Sequence, residues 1–352
     1  MADRDAAPLT MADVARAAGV SLTTVSRALT GNGRLSERTR RRVNAIATEM
    51  GYRPNPVART LAGGKTGVIA IAFSLPQATP GVRTGLIDYF NDTIRGATQR
   101  ALTHDYALVV GPPTPHSDVW SRVALDGLVV VDPIPGDPVV SELRQNGTRM
   151  VFIGRDPEGT PDDYCIDGDY EAATRGVLDH LRDRGGQRIG VICGEFGESF
   201  TADCLDAYIA WCARDGRPRF VGTVPANRMH VRSGTGQAFR AAGAPDAVYV
   251  LDERLLEPLW HYLHQQGLRV PQDVLVAVAG DSELFCGSTP VTNLEFNASE
   301  AGARAVDTLI DLINGRPPGE HIQLIPTQLT PRASSDPDRA MAGTDPRRRS
   351  DH

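Results

Sequence analysis

Eight histidines and five cysteines are the side chains best suited to metal or nucleophilic chemistry, and neither set is arranged for it. Cys165, Cys193, Cys204, Cys212 and Cys286 are odd in number and lack C-x-x-C spacing. That suits reduced thiols better than a disulfide frame or a zinc site. His261 and His264 stand i, i+3 on a helical pattern without a third ligand. The SGTGQ and GVICG runs lack the Gly-rich strand–turn–helix spacing of a nucleotide loop, and no G-x-S-x-G elbow occurs. No catalytic set, metal or cofactor is expected. The chemistry that the residue types do support is contact with phosphate and base edges. Residues 1–66 hold 11 Lys and Arg against 5 Asp and Glu, whereas residues 67–352 hold 26 against 38. A basic head on an acidic body is what a nucleic-acid contact at one end needs, and a solvated basic helix face would read the same.

The elements that must position this contact lie between Thr10 and Gly51. Thr10 can cap a helix whose Val14, Ala17 and Ala18 share a face, and Gly19 ends it. Ser21 then caps a second helix running to about Leu29, so that two short helices flank a tight Gly-containing turn: a helix-turn-helix. A third helix begins after Ser36 with the first-turn acid Glu37, and its apolar face is Val43, Ile46, Ala47 and Met50. Arg38, Arg40, Arg41 and Arg42 lie mostly off that face, where they can meet phosphate. Past Pro54 and Pro56, Val57 to Leu61 spans about one and a half turns before Gly63 and Gly64. So short a helix needs a partner helix, DNA or both, which makes it a candidate switch element.

The run DVARAAGVSLTTVSRAL, followed by SERTRRRVNAIATEMGYRPNPVARTLAGGKTGVIAI, closely resembles the LacI/GalR family of bacterial regulators over residues 10–72. The resemblance implies that the second helix enters the major groove, while paired hinge helices of a dimer enter the minor groove. Leu61 then matches the leucine wedged into the central base step, with Ala58 packing nearby; a small contact to the domain below is its other reading. Leu22 and Thr23 match the positions that choose operator sequence, and Arg27 a further base-reading position. Leu22 can make only apolar contact, for instance with a thymine methyl, and Thr23 can do the same or hydrogen-bond. Arg27 can pair with both acceptors of a guanine or grip phosphate. Ser21, Thr24 and Asn55 read as phosphate anchors.

From Gly67 the texture changes to short apolar runs alternating with amphipathic segments. Strands are expected at Val68–Phe73, Ala107–Val110, Gly127–Val131, Met150–Ile153, Arg188–Cys193, Ala247–Leu251 and Val274–Ala279. Helices are expected at Phe90–Leu102, Glu171–Arg184, Glu253–Gln266 and Ala298–Ile313. Such alternation implies doubly wound parallel sheets, and this much chain suggests two lobes with a ligand cleft between their strand ends. The blocks TIRGATQRAL, DGLVVV, HLRDRGGQRIGVICG, PDAVYVLDE and PTQLTPRAS extend the family resemblance to a body like a periplasmic sugar-binding protein. The fold class is therefore α/β: a small all-α head joined to a two-lobed, doubly wound, periplasmic-binding-protein-like domain. The expected organisation is a flexible 1–9, a head at 10–54, a hinge helix at 55–64 and a body at 67–333. Within the body the first lobe is placed at about 67–166 and 293–323, the second at about 167–292 and 324–333. A disordered tail is expected at 334–352; it lacks leucine heptads, which favours a dimer over a coiled-coil tetramer.

The departures from the family pattern concern the ligand. Where sugar-responsive members carry an Arg four residues before an aromatic, here Tyr208, this chain has Cys204. Leu251 replaces the Asn of an A-N-D tripeptide, and Ser282 occupies the ligand-facing acid position in GDSE. Loss of these groups implies an effector other than an ordinary neutral sugar, or none. Tyr89, Phe90, Arg155, Asp252, Asp281 and Glu283 remain near the cleft. The aromatics suit either ring stacking or lobe core, and Arg155 either an anionic ligand or a salt bridge between lobes. The expected function is a homodimeric, cytoplasmic regulator of transcription that binds double-stranded operator DNA and a small-molecule effector, with no membrane association. One rival is an architectural DNA-binding protein whose body only dimerises; the other, a fused enzyme, requires a cleft nucleophile that the sequence does not offer.

Overall fold

The computed structural model describes residues 9–30, 35–52, 65–74, 85–111, 122–195, 197–225, 232–281 and 283–336. The chain separates into two compact units, residues 1–66 and 67–352. The expected hinge helix, with Asn55, Ala58 and Leu61, lies outside the described residues, as does Ser282.

In the first unit, α1 (Met11–Ala18), α2 (Leu22–Thr30) and α3 (Glu37–Glu49) enclose a core of Val14, Ala18, Val25, Ala28, Val43 and Ala47. Asp13 accepts from the Thr10 backbone N–H at 2.9 Å and from its hydroxyl at 2.7 Å, which fixes the start of α1. Gly19 takes the left-handed conformation (φ 60°) that the turn requires, and Val20 N–H returns to the Ala15 carbonyl at 3.1 Å. Ser36 caps α3 through the Thr39 N–H at 3.2 Å. Arg42, one of the arginines expected off the apolar face, also ties two helices together: its guanidinium donates to the Ala18 carbonyl at the end of α1. There a cation meets unpaired carbonyls and the negative end of the helix dipole.

The second unit contains two six-stranded sheets. The first comprises β1 (Val68–Phe73), β2 (Ala107–Gly111), β3 (Gly127–Val131), β4 (Met150–Ile153), β5 (Cys165–Gly168) and β13 (Ile322–Ile325). Their order is β13-β5-β4-β3-β1-β2, all parallel. Helices α4 (Gly85–Thr103), α5 (Pro138–Gln145) and α10 (Ala298–Ile313) cover it. The second sheet comprises β6 (Ile189–Glu195), β7 (Val221–Pro225), β8 (Ala247–Val250), β9 (Leu275–Ala279), β12 (Thr292–Glu295) and β14 (Gln328–Thr330), in the order β14-β12-β9-β8-β6-β7. Only β14 runs antiparallel to its neighbour. Helices α6 (Tyr170–Asp183), α7 (Ser199–Arg214), α8 (Arg232–Ala241) and α9 (Leu256–Gln265) pack on its two faces. A short antiparallel pair, β10 (Phe285–Cys286) with β11 (Thr289–Pro290), stands apart. Strands β3, β8 and β9 are buried throughout, because each face of the sheet carries helices; their sequences are continuous apolar runs for that reason.

The chain passes between the sheets after β5, after β12 and after β13. The boundaries expected at 166/167, 292/293 and 323/324 therefore fall inside strands. A strand cannot change sheets midway without orphaning its ladder hydrogen bonds, so each exchange waits for the following loop. The tail also begins later than 334. Ser334 and Ser335 are fully buried, and the Ser334 hydroxyl accepts from Thr292 N–H at 2.8 Å while donating to the Val276 carbonyl at 2.6 Å. Asp336 pairs with Arg184 at 2.5 Å.

Candidate nucleic-acid interface and ligand cleft

Helix α2 turns Val25 and Ala28 into the core of the head, which leaves Leu22, Thr23 and Arg27 on its exposed face. Leu22 is 53% exposed, an uncommon state for a leucine on a short helix with a core nearby. Ser21 and Thr24 stand beside this face. Ser21 Oγ accepts from Thr24 N–H at 3.2 Å, and the two hydroxyls lie 2.9 Å apart, so both side chains also organise the start of the helix.

In the body, a cleft of about 570 Å³ of empty volume, partly open to solvent, lies at the carboxyl ends of the strands of both sheets. Asp132 follows β3, Leu251 to Arg254 follow β8, Gly280 follows β9 and Phe296 follows β12. Tyr89 enters from α4, Tyr170 from α6, and Glu198 and Phe200 from the start of α7. Tyr170, Phe200 and Phe296 meet edge to face, with ring centroids 4.8 to 5.9 Å apart, and Tyr89 meets Phe296 edge-on at 6.1 Å. A smaller recess of about 270 Å³ continues past Tyr89 toward Ile153, Asp167 and Ile325.

Of the residues singled out from the sequence, Tyr89, Leu251 and Asp252 line the cleft. Phe90 packs instead against Phe73, with ring centroids 4.3 Å apart and planes tilted by 52°, at the edge of the first lobe's core. Cys204 is fully buried on the inner face of α7, in the core of the second lobe. Arg155 forms an ion pair with Asp167 at 3.0 Å and another with Asp203 of α7. Its backbone N–H donates to Ser199 Oγ at 3.0 Å. Of the two roles open to it, Arg155 takes the bridge between lobes. Asp281 is likewise committed: it accepts from the Phe296 and Ala298 N–H groups, the latter at 2.9 Å, and thereby caps α10.

The cleft is acidic. Asp252 is held by Arg254, whose Nε donates to its two oxygens at 2.9 and 3.0 Å. Glu198 accepts from the Thr201 hydroxyl through one oxygen while its other oxygen has no hydrogen-bond partner. Glu253 is 8% exposed, and neither of its buried carboxylate oxygens has a hydrogen-bond partner. Gly280 makes room for it, because a Cβ there would lie 2.4 Å from Glu253 Oε2. Burial pushes the Glu253 carboxyl up to about 8, with the charges of Asp252, Asp88 and Asp281 adding to the effect. Burial, then the charge of Glu198, likewise carries Asp132 up to about 8, although a hydrogen bond from Tyr89 favours its ionised form. Asp167 rises to about 6 through burial, against the pull of Arg155.

Two family models match the chain: the lacI family of bacterial regulatory proteins over residues 10–55, and a periplasmic binding protein-like domain over residues 178–335. The chain belongs to the LacI family. The HTH-type transcriptional regulator MalR of Staphylococcus xylosus is 25% identical over 335 residues, covering 93% of this chain and 98% of that protein. The structure of the lac repressor dimer bound to operator and the anti-inducer ONPF superimposes with a TM-score of 0.70 at 24% identity, over 94% of this chain and all of that one. The CelR–cellobiose complex gives a TM-score of 0.66 at 22% identity, covering 93% and 99% of the two chains. This LacI-family protein is thus a DNA-binding regulator of transcription, of a family built for ligand-responsive repression, and not an enzyme.

Within this LacI-family body, sequence reasoning missed Asp132, Tyr170, Glu198, Phe200, Glu253, Arg254 and Phe296. One signal was available. Asp132 directly follows the apolar run GLVVV, and Glu253 stands three residues beyond AVYV. Polar groups just past a buried parallel strand sit where such sheets bind ligands.

Proposed function

We propose that this protein is a homodimeric, cytoplasmic repressor that binds a pseudopalindromic operator and releases or holds it according to a small molecule in the interlobe cleft. The observation that carries this reading is a cleft walled by both lobes, on one chain with an exposed Leu22, Thr23 and Arg27 face. The head supplies base contacts from α2, with Ser21, Thr24 and Asn55 on phosphate. The hinge, with Ala58 and Leu61, meets the minor groove. Exposed Ile322 and Leu324 on the edge strand β13 are apolar surface of the kind that a second copy covers. The acid-rich cleft supports an effector other than an ordinary neutral sugar. Lobe movement on binding would alter the separation of the two hinges, which couples the sites.

Operator selection from random DNA, followed by footprinting, tests the DNA half of this reading: a symmetric protected site is expected. Arg27→Ala should lose discrimination at one base pair per half-site, worth about 1–3 kcal/mol. An even loss across all sequences would reassign Arg27 to phosphate. Leu61→Ala should weaken binding and reduce DNA bending together, and unchanged bending would remove the wedge.

A further inference from the structure

We propose that the ligand of the cleft is a small organic cation carrying at least one primary ammonium group, seated on Glu253 and covered by the aromatic wall. The inference rests on reading the cleft as the effector site. Its starting point is Glu253, which lines the cavity with a side chain more than nine-tenths buried and has no hydrogen-bond partner for either carboxyl oxygen. Such a group is costly to leave unpaired, and a ligand that donates N–H bonds and brings positive charge satisfies both needs. The lining points the same way. Among the described residues four carboxyl groups line the cleft, Asp132, Glu198, Asp252 and Glu253, beside one guanidinium, that of Arg254, which is bonded to Asp252.

The occupant is organic rather than a metal ion: among the described residues no three His, Cys, Asp or Glu side chains converge closely enough to ligate one. The acids are spread around the wall, which suits an extended molecule. Tyr170, Phe200 and Phe296 supply ring faces at the same cavity, where an alkylammonium gains from the ring quadrupoles and its carbon chain from apolar contact. An anionic ligand would meet these carboxylates without a free cation of the kind expected of Arg155, which is committed to Asp167 and Asp203. A neutral polyol could accept and donate hydrogen bonds here, but only a cation gains further by favouring the ionised form of these carboxyls.

Calorimetric titration of the full-length protein with putrescine, spermidine, agmatine and glucosamine, beside 1,4-butanediol, glucose and cellobiose, tests this. At least one amine should bind, its uncharged counterpart should bind tenfold or more weakly, and Glu253→Gln should cost a further tenfold or more. The variant should stay folded, since the amide fills the same space as the buried carboxyl and brings no charge to desolvate; a thermal melt checks that. Amine binding that ignores Glu253→Gln would overturn the assigned seat. Binding of glucose or cellobiose in preference to every amine would overturn the cation while leaving the effector site standing. A panel flat to all seven would overturn both.

Discussion

At the scale of single residues, the carboxyls of Glu253 and Asp132 hold protons that the unfolded chain would release. Glu253 rises from an ordinary 4.5 to about 8, and Asp132 from 3.8 to about 8, in each case chiefly by burial. Between these values the folded state binds more protons than the unfolded one, so stability falls as pH rises through the window. The ligand-free protein should therefore melt several degrees higher at pH 6 than at pH 8. Glu253→Gln should raise the pH 8 midpoint and flatten the dependence, because the amide fills the same space without a charge to desolvate. Thermal melts across that range check both effects. An unchanged slope would mean that the Glu253 oxygens find partners in solution.

Among the elements, the contact between α4 and α10 admits least change. A Cβ on Gly96 would lie 1.8 Å from the Ser299 carbonyl oxygen, and one on Gly302 would lie 2.2 Å from that of Thr93. The two backbones touch, and no rotamer can relieve a clash with a neighbouring main chain. Gly302→Ala should cost about 1–3 kcal/mol through overpacking, read as a lower melting midpoint of the body; a midpoint within a degree of wild type would show that the helices can separate. Both helices and the seven apolar strands were legible in sequence, since long periodic or continuous apolar patterns state their burial directly. Strands β5 and β12 were not. CIDG and TNLE bury Asp167, Thr292 and Asn293, and only distant partners make that tolerable: Asn293 Nδ2 donates to the Gly280 carbonyl at 2.9 Å, and the Thr292 hydroxyl to that of Arg332 at 3.1 Å. The cleft was expected, with Tyr89, Leu251 and Asp252 beside it, but the rest of its lining was hidden for the same reason. Asp132, Glu198, Glu253 and Phe296 come from four separate strand or helix ends across two sheets, and no local pattern records their meeting.

For the whole molecule, regulation requires that the two lobes have distinct arrangements whose balance the DNA head can sense. The link between lobes that a substitution can sever most cleanly is Arg155 with Asp203. Arg155 follows β4 of the first lobe and Asp203 lies on α7 of the second, so their ion pair exists only while the lobes are close. Asp203→Ala removes it and leaves Arg155 paired with the buried Asp167 at 3.0 Å, so no buried charge is orphaned. Both members of the severed pair are partly exposed, and the loss should be about 1 kcal/mol or less, too little to unfold the protein. That amount can still move a lobe equilibrium by about fivefold. If lobe closure is coupled to the head, Asp203→Ala should change operator affinity by up to that factor although Asp203 lies outside the DNA-binding unit. Small-angle scattering should report a larger radius of gyration for the ligand-free variant. A more open body with unchanged operator affinity would break the proposed coupling and leave the body as a dimerisation module.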